Sequence, residues 1–209
     1  MHYQVNLLKD NDSPGPLNLL EAVREGITPA LAEQGIGCFG VFQGLFGLAS
    51  NELYVVLNHD GPMPDVDVAF DQFERVSAVD LEPTVRPTDH SPRIRDGIYV
   101  FRWFEVHMKD VDEIAALSNT AWETFETGFA TEVQGLFAQP DRSVDRGRML
   151  LITWYEDLNA WQDSRRPAPE ARENFMRRHQ LTLEAFPVAT RLVSGNQAPV
   201  IPGGQNRFS

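Results

Sequence analysis

The chain has 209 residues, of which 42% are hydrophobic and 23% charged, and its 30 acidic and 18 basic side chains give a formal net charge of -12. This composition excludes a disordered chain, and the acidic balance argues against nucleic acid or an anionic membrane surface as a partner, because like charges repel. With Cys38 as its single cysteine, it has neither an intramolecular disulfide nor a Cys-based zinc spacing.

Tyr3 to Leu8 reads as a strand, followed by a loop of turn-forming residues from Asp10 to Pro16. Leu17 to Gln34 reads as a helix with Leu20, Val23, Ile27 and Leu31 on one stripe; Pro29 predicts a kink and Gly35 a stop. Gly37 to Gly47 and Leu53 to Asn58 read as strands joined by a turn. Val66 to Ser77 reads as a second helix and Leu81 to Arg86 as a closing strand. Pro87 to Asp96, polar with two prolines, reads as a linker.

The order then repeats. Ile98 to Met108 reads as a strand, and Val111 to about Thr127 as a helix whose start carries an Asp110-x-x-Glu113 capping pattern. Glu132 to Ala138 and Arg148 to Tyr155 read as strands flanking a charged loop. Leu158 to about Leu183 reads as a helix broken at Pro167 and Pro169, and Val188 to Val193 as the last strand. No basic-then-apolar leader and no apolar run near a membrane span appears, so the expected setting is cytoplasmic.

The four residues QGLF occur at Gln43–Phe46 and again at Gln134–Phe137, 91 positions apart and on the second strand of each half. Leu53–Leu57 matches Leu150–Trp154 as the next strand, and Arg86 and Arg191 fall near the closing strand of each copy. Each half therefore reads as a β-α-β-β-α-β unit. The expected fold class is α+β: two tandem ferredoxin-like units whose antiparallel sheets pack into an intrachain α+β barrel. The expected domains are 1–90, 95–193 and an irregular tail, 194–209. Free edges and outer faces leave a homodimer open.

In the second half, Phe101-Arg102-Trp103-Phe104-Glu105-Val106 leads into Asp110-Val111-Asp112-Glu113 and Ala121-Trp122-Glu123-Thr124-Phe125-Glu126, and Met149 to Tyr155 ends in Trp-Tyr before a helix. This resembles the NIPSNAP family, a branch of the dimeric α+β barrel superfamily, over about 95 to 193. That resemblance implies a barrel with a pocket but no single reaction; the wider superfamily includes cofactor-free monooxygenases, haem-degrading enzymes, lactone isomerases and haem-containing dehydratases.

Alternation on the strand Ile98 to Met108 puts Tyr99, Phe101, Trp103, Glu105 and His107 on one face and Arg102 on the other. Glu105 and His107, about 7 Å apart, can form an acid/base pair or touch water at the strand's end. Arg102 can hold a carboxylate or enolate, or make a structural ion pair. Trp103, Trp122, Trp154 and Tyr155 can line an apolar ligand pocket or pack the core. The five histidines form no metal-ligand spacing, and a haem has only His107 and His179 on regular elements; Arg177-Arg178-His179 reads as a solvated helix face. No metal and no cofactor is expected. The reading is a small apolar or aromatic ligand bound in the second repeat, with Arg102, Glu105 and His107 as candidate catalytic residues if the chain is instead a cofactor-independent monooxygenase or isomerase on an aromatic or polyketide-like substrate.

Overall fold

Four strands form from the first half: β1 (His2–Lys9), β2 (Gly37–Phe46), β3 (Glu52–His59) and β4 (Glu74–Pro83). Four more form from the second: β5 (Ile98–His107), β6 (Thr131–Ala138), β7 (Arg146–Tyr155) and β8 (Thr182–Leu192). All neighbouring pairs are antiparallel, and the order β1-β3-β2-β8-β5-β7-β6-β4 closes with β4 back on β1. The structure, a computed structural model, describes residues 1–195; most of the expected tail lies outside the described residues.

The barrel interior is packed with side chains. Tyr3, Phe39, Phe42, Tyr54, Tyr99, Phe101, Phe137 and Trp154 fill it together with aliphatic side chains from β1, β3, β4, β7 and β8. Most strands are apolar on both faces, because they separate this interior from a layer of helices or loops. The segment expected as a linker closes one end of the barrel. Its carbonyls at Asp89, Arg95 and Asp96 accept hydrogen bonds from Tyr3, Tyr99 and Trp154, and the Arg93 N–H donates to Phe39 O at 2.7 Å.

The two halves share strand order and register. Each reads fourth-first-third-second: β4-β1-β3-β2 and β8-β5-β7-β6. Asn6 and Val41 both pair with Val55, as Arg102 and Leu136 both pair with Leu151. At the seams, Thr84 N–H donates to Leu136 O and Val193 N–H to Val41 O, each at 2.8 Å.

This register moves the QGLF match out of phase. β2 bulges between Cys38 and Gly40, and β6 between Val133 and Gly135. The ring of Phe42 lies over Gly40 as that of Phe137 lies over Gly135, so a side chain at either glycine would strike the ring. Gly135 thus corresponds to Gly40, four residues before the expected Gly44, and Phe46 is 64% exposed where Phe137 is buried. Arg86 and Arg191 are not equivalent either: Arg191 pairs with Gln43 inside β8, whereas Arg86 lies past the end of β4.

Helix α1 (Leu17–Ala22) runs through a π-helical turn at Val23–Ile27 into α2 (Thr28–Glu33), and their apolar stripe covers the first sheet. Pro29, at the start of α2, has no N–H to give back along the chain, and the helix widens just before it. The expected helix Val66–Ser77 is reduced to a 3-10 turn at Asp67–Phe70, and the chain is already in β4 from Glu74. The free edge of β1 takes these residues as a ladder, Leu7 opposite Ser77 and Val5 opposite Val79, and tertiary pairing overrides local preference.

Candidate functional site

The second sheet is covered by α3 (Val111–Gly128) and α5 (Pro169–Gln180), with the short α4 (Leu158–Asp163) before α5. Asp157 caps α4 by accepting the Ala160 N–H at 2.8 Å. The expected Asp110 cap of α3 is not made; a 3-10 turn at Met108–Asp110 feeds straight into the helix. α3 packs Val111, Ile114, Ala115 and Trp122 on the sheet. Pro167 follows the end of α4, and Pro169 starts α5 at its first turn.

Between sheet, α3 and α5 lies a cavity of about 740 Å³. Its walls are Trp122 and Phe125 of α3, Val133, Leu151, Thr153 and Tyr155 of the sheet, and Phe175 and Met176 of α5. Among the described residues, five arginines also line it, Arg102, Arg165, Arg166, Arg172 and Arg178, and none of the lining residues is acidic.

Arg178 is buried and Arg102 half-buried. Arg178 is 8% exposed, donates to Ser118 Oγ at 3.3 Å, and lies 4.9 Å over the Phe175 ring and 5.4 Å over Phe104. Arg102 projects from the outer face of β5. Among the described residues, no ion pair engages either one. Burial first, and the neighbouring arginines with it, push both guanidiniums below their usual value. Of the ionisable groups acting on the pair among the described residues, only the Tyr155 phenol favours the charged form.

The expected site residues divide between two faces. Arg102, Trp122 and Tyr155 meet in this cavity. Trp103 and Trp154 turn into the barrel, where Trp103 Nε1 donates to Tyr54 Oη at 3.3 Å and Arg95 stacks 3.3 Å from the Trp154 ring. Glu105 and His107 sit on that same inward face but at the barrel's end. There Glu105 lies 3.8 Å from Arg146, and His107 Nδ1 is 3.1 Å from Asp145. The structure therefore separates Arg102 from Glu105 and His107.

Arg178 is the residue the sequence misplaced. In the run Arg177-Arg178-His179, Arg177 is exposed and paired with Glu113 at 2.9 Å, His179 is exposed, and Arg178 between them is buried. One signal was available: Arg165 to Arg178 holds five of the chain's 18 basic residues. Elsewhere, burial pushes the Cys38 thiol up to about 12, which suits a packing residue. For a haem, the cavity offers one imidazole, His179, on the exposed side of the last turn of α5; that donor does not fit a sequestered iron. No helix of the described residues is long and apolar enough to cross a membrane.

No family model matches the chain, and no curated protein matches it by sequence. Solved structures match over nearly its whole length. An anthrone oxidase-like protein superposes with a TM-score of 0.65 at 16% identity, covering 96% of both chains. A putative monooxygenase from Lactobacillus acidophilus gives 0.55 at 12%, covering 92% of both. A haem-binding protein from Thermus thermophilus gives 0.51 at 17%, covering 92% of this chain and 90% of that one. At these identities the likeness establishes the fold alone: a ferredoxin-like α+β architecture whose eight antiparallel strands close into one barrel.

Proposed function

We propose that this protein binds a small, largely apolar or aromatic molecule in the cavity between the second sheet and helices α3 and α5. The observation that carries the reading is the cavity itself: aromatic side chains from three elements line an open space of about 740 Å³, a volume usual for a small-molecule site. The test is mass spectrometry of the natively purified protein, with a thermal-shift screen of aromatic compounds. Co-purified ligand, or compounds that raise Tm in the wild type but not in Leu151→Trp, are expected. A screen without a hit, on a protein that carries nothing, would sink the reading. Haemin is the control, with no Soret shift expected.

A second reading is a cofactor-independent monooxygenase or isomerase. It is supported by the Tyr155 and Thr153 hydroxyls, which face the same space as Arg102. The name of the Lactobacillus acidophilus neighbour points the same way. Oxygen uptake on phenolic substrates, lost in Tyr155→Phe, tests it.

Three further parts belong to the proposal. Residues 1–90 and 95–193 are two copies of one ancestral unit, supported by the shared strand order and register. The second copy stands in the NIPSNAP branch, on the strength of its strand and helix motifs. The protein works in the cytoplasm, with a homodimer through its outer faces as a further possibility for light scattering to decide.

A further inference from the structure

A buried cation in a folded protein is ordinarily paired, because removing it from water is costly. The acidic surface of this chain offers 30 carboxylates. Arginines elsewhere, exposed like Arg177 or half-buried like Arg86 and Arg75, use them: Arg177 pairs with Glu113, Arg86 with Glu126 and Arg75 with Asp67. The cavity arginines do not. Arg102 and Arg178 face each other's charge, with Arg165 nearby and no carboxylate among the groups that act on them. Arg178 is held by one hydroxyl and two aromatic rings, which position a guanidinium without neutralising it. The first half shows that the fold does not require a cation here. Its residue in register with Arg102 is Asn6, and the face around it is filled with aliphatic side chains and Phe70. Two like charges, one buried and one half-buried, with no carboxylate partner among the described residues, are completed by an anion from outside.

We propose that the cavity takes an aromatic carboxylate, its carboxylate on Arg102 and Arg178 and its rings against Trp122, Phe125 and Phe175. This rests on the reading of the cavity as a ligand site. The planar guanidiniums suit a planar carboxylate, which each can grip through two N–H groups. The exposed Arg165, Arg166 and Arg172 place positive charge at the entrance of an otherwise negative molecule, and so draw an anion towards it. Carbonyls at the C-terminal end of α5 stand next to Arg178 and disfavour a doubly charged group.

The test is calorimetric titration of the full chain with anthracene-2-carboxylate, anthracene-2-carboxamide and 2-anthryl phosphate. We expect the acid to bind about tenfold to a hundredfold more tightly than the amide, the range for charge-assisted hydrogen bonds. The preference should shrink with added salt, vanish in Arg102→Gln and in Arg178→Gln, and survive in Arg142→Gln, a surface control. Both cavity variants should melt at or above the wild-type temperature, because an unpaired charge, buried or half-buried, has been removed. Equal binding of acid and amide would overturn the carboxylate assignment while leaving the cavity reading intact. Tighter binding of the phosphate would replace carboxylate by phosphate. A lower melting temperature with the preference retained would make the arginines structural. Binding of none of the three would count against the cavity reading itself.

Discussion

The outer faces of the two sheets have the same strand order and register, and opposite fates. On the first, α1, the π-helical turn and α2 lay Leu19, Leu20, Val23, Ile27 and Leu31 onto Leu53, Val55 and Leu57, and Val66 and Phe70 close the remainder. On the second, the connection between β7 and β8 is longer and carries two helices, and a cavity remains. At the shared register position a small amide, Asn6, faces the sealed side and a guanidinium, Arg102, faces the open one. A cavity in a fold that can seal the equivalent face costs dispersion contacts, and two like charges, one buried and one half-buried, cost solvation. Both costs fall in the same half, as expected where stability has been given up for binding.

The comparison can be broken most sharply by truncation. Phe70→Ala, in the sealed half, is expected to cost about 3–5 kcal/mol by urea denaturation. Met176→Ala, on the open rim, should cost less than about 0.5 kcal/mol. Equal costs would mean the second face is as tightly packed as the first. A second pair adds volume at positions in register. Cys38→Phe should lose about 1–3 kcal/mol by overpacking, whereas Val133→Phe can grow into the cavity and should lose less than about 1 kcal/mol while weakening ligand binding. A third removes polar groups. Asn6→Leu removes a carbonyl oxygen that is buried without a partner, and Arg102→Met removes an unpaired cation; each should raise stability, by about 1 kcal/mol. A fall in Tm for Arg102→Met would reveal a partner for that charge.

The smallest effect tests what the halves share. Tyr3 and Tyr99 point into the barrel from corresponding strands, and burial raises both phenols well above their usual value. A raised value means that the folded state favours the proton. The stability it contributes is complete below about pH 10 and is lost as pH climbs through the folded values. Denaturation midpoints from pH 8 to 11 should fall, and fall less in Tyr3→Phe and Tyr99→Phe. Arg178, whose value is depressed, acts in the opposite sense, so the series is best run in an Arg178→Met background.

Eight strands were legible because each is a run of β-branched and aromatic residues between turn formers. The exceptions in position were β4, where Glu74 to Ala78 alternates too weakly to reveal a strand until β1 offers its edge, and β8, which begins at Thr182 instead of the expected Val188 because β5 pairs with it along its length. The repeated QGLF pointed to two matching halves but set them four residues out of phase. A bulge adds a residue without leaving a mark in composition, and only the ladder fixes the register. At the site, the aromatic content of the second half and the inward-outward alternation of β5 were written in the sequence. They placed Arg102 on the opposite face from Glu105 and His107. The role of Arg178 was not, since burial of one arginine in a basic run depends on which face of α5 meets Phe104 and Ser118. The sequence by itself determined the strand count, the α+β class and the half in which the aromatic residues collect, because these follow from local patterning. Only the tertiary structure decided the register, the closure of the barrel and the meeting of two unpaired guanidiniums in one cavity, because each depends on contacts between residues far apart in the chain.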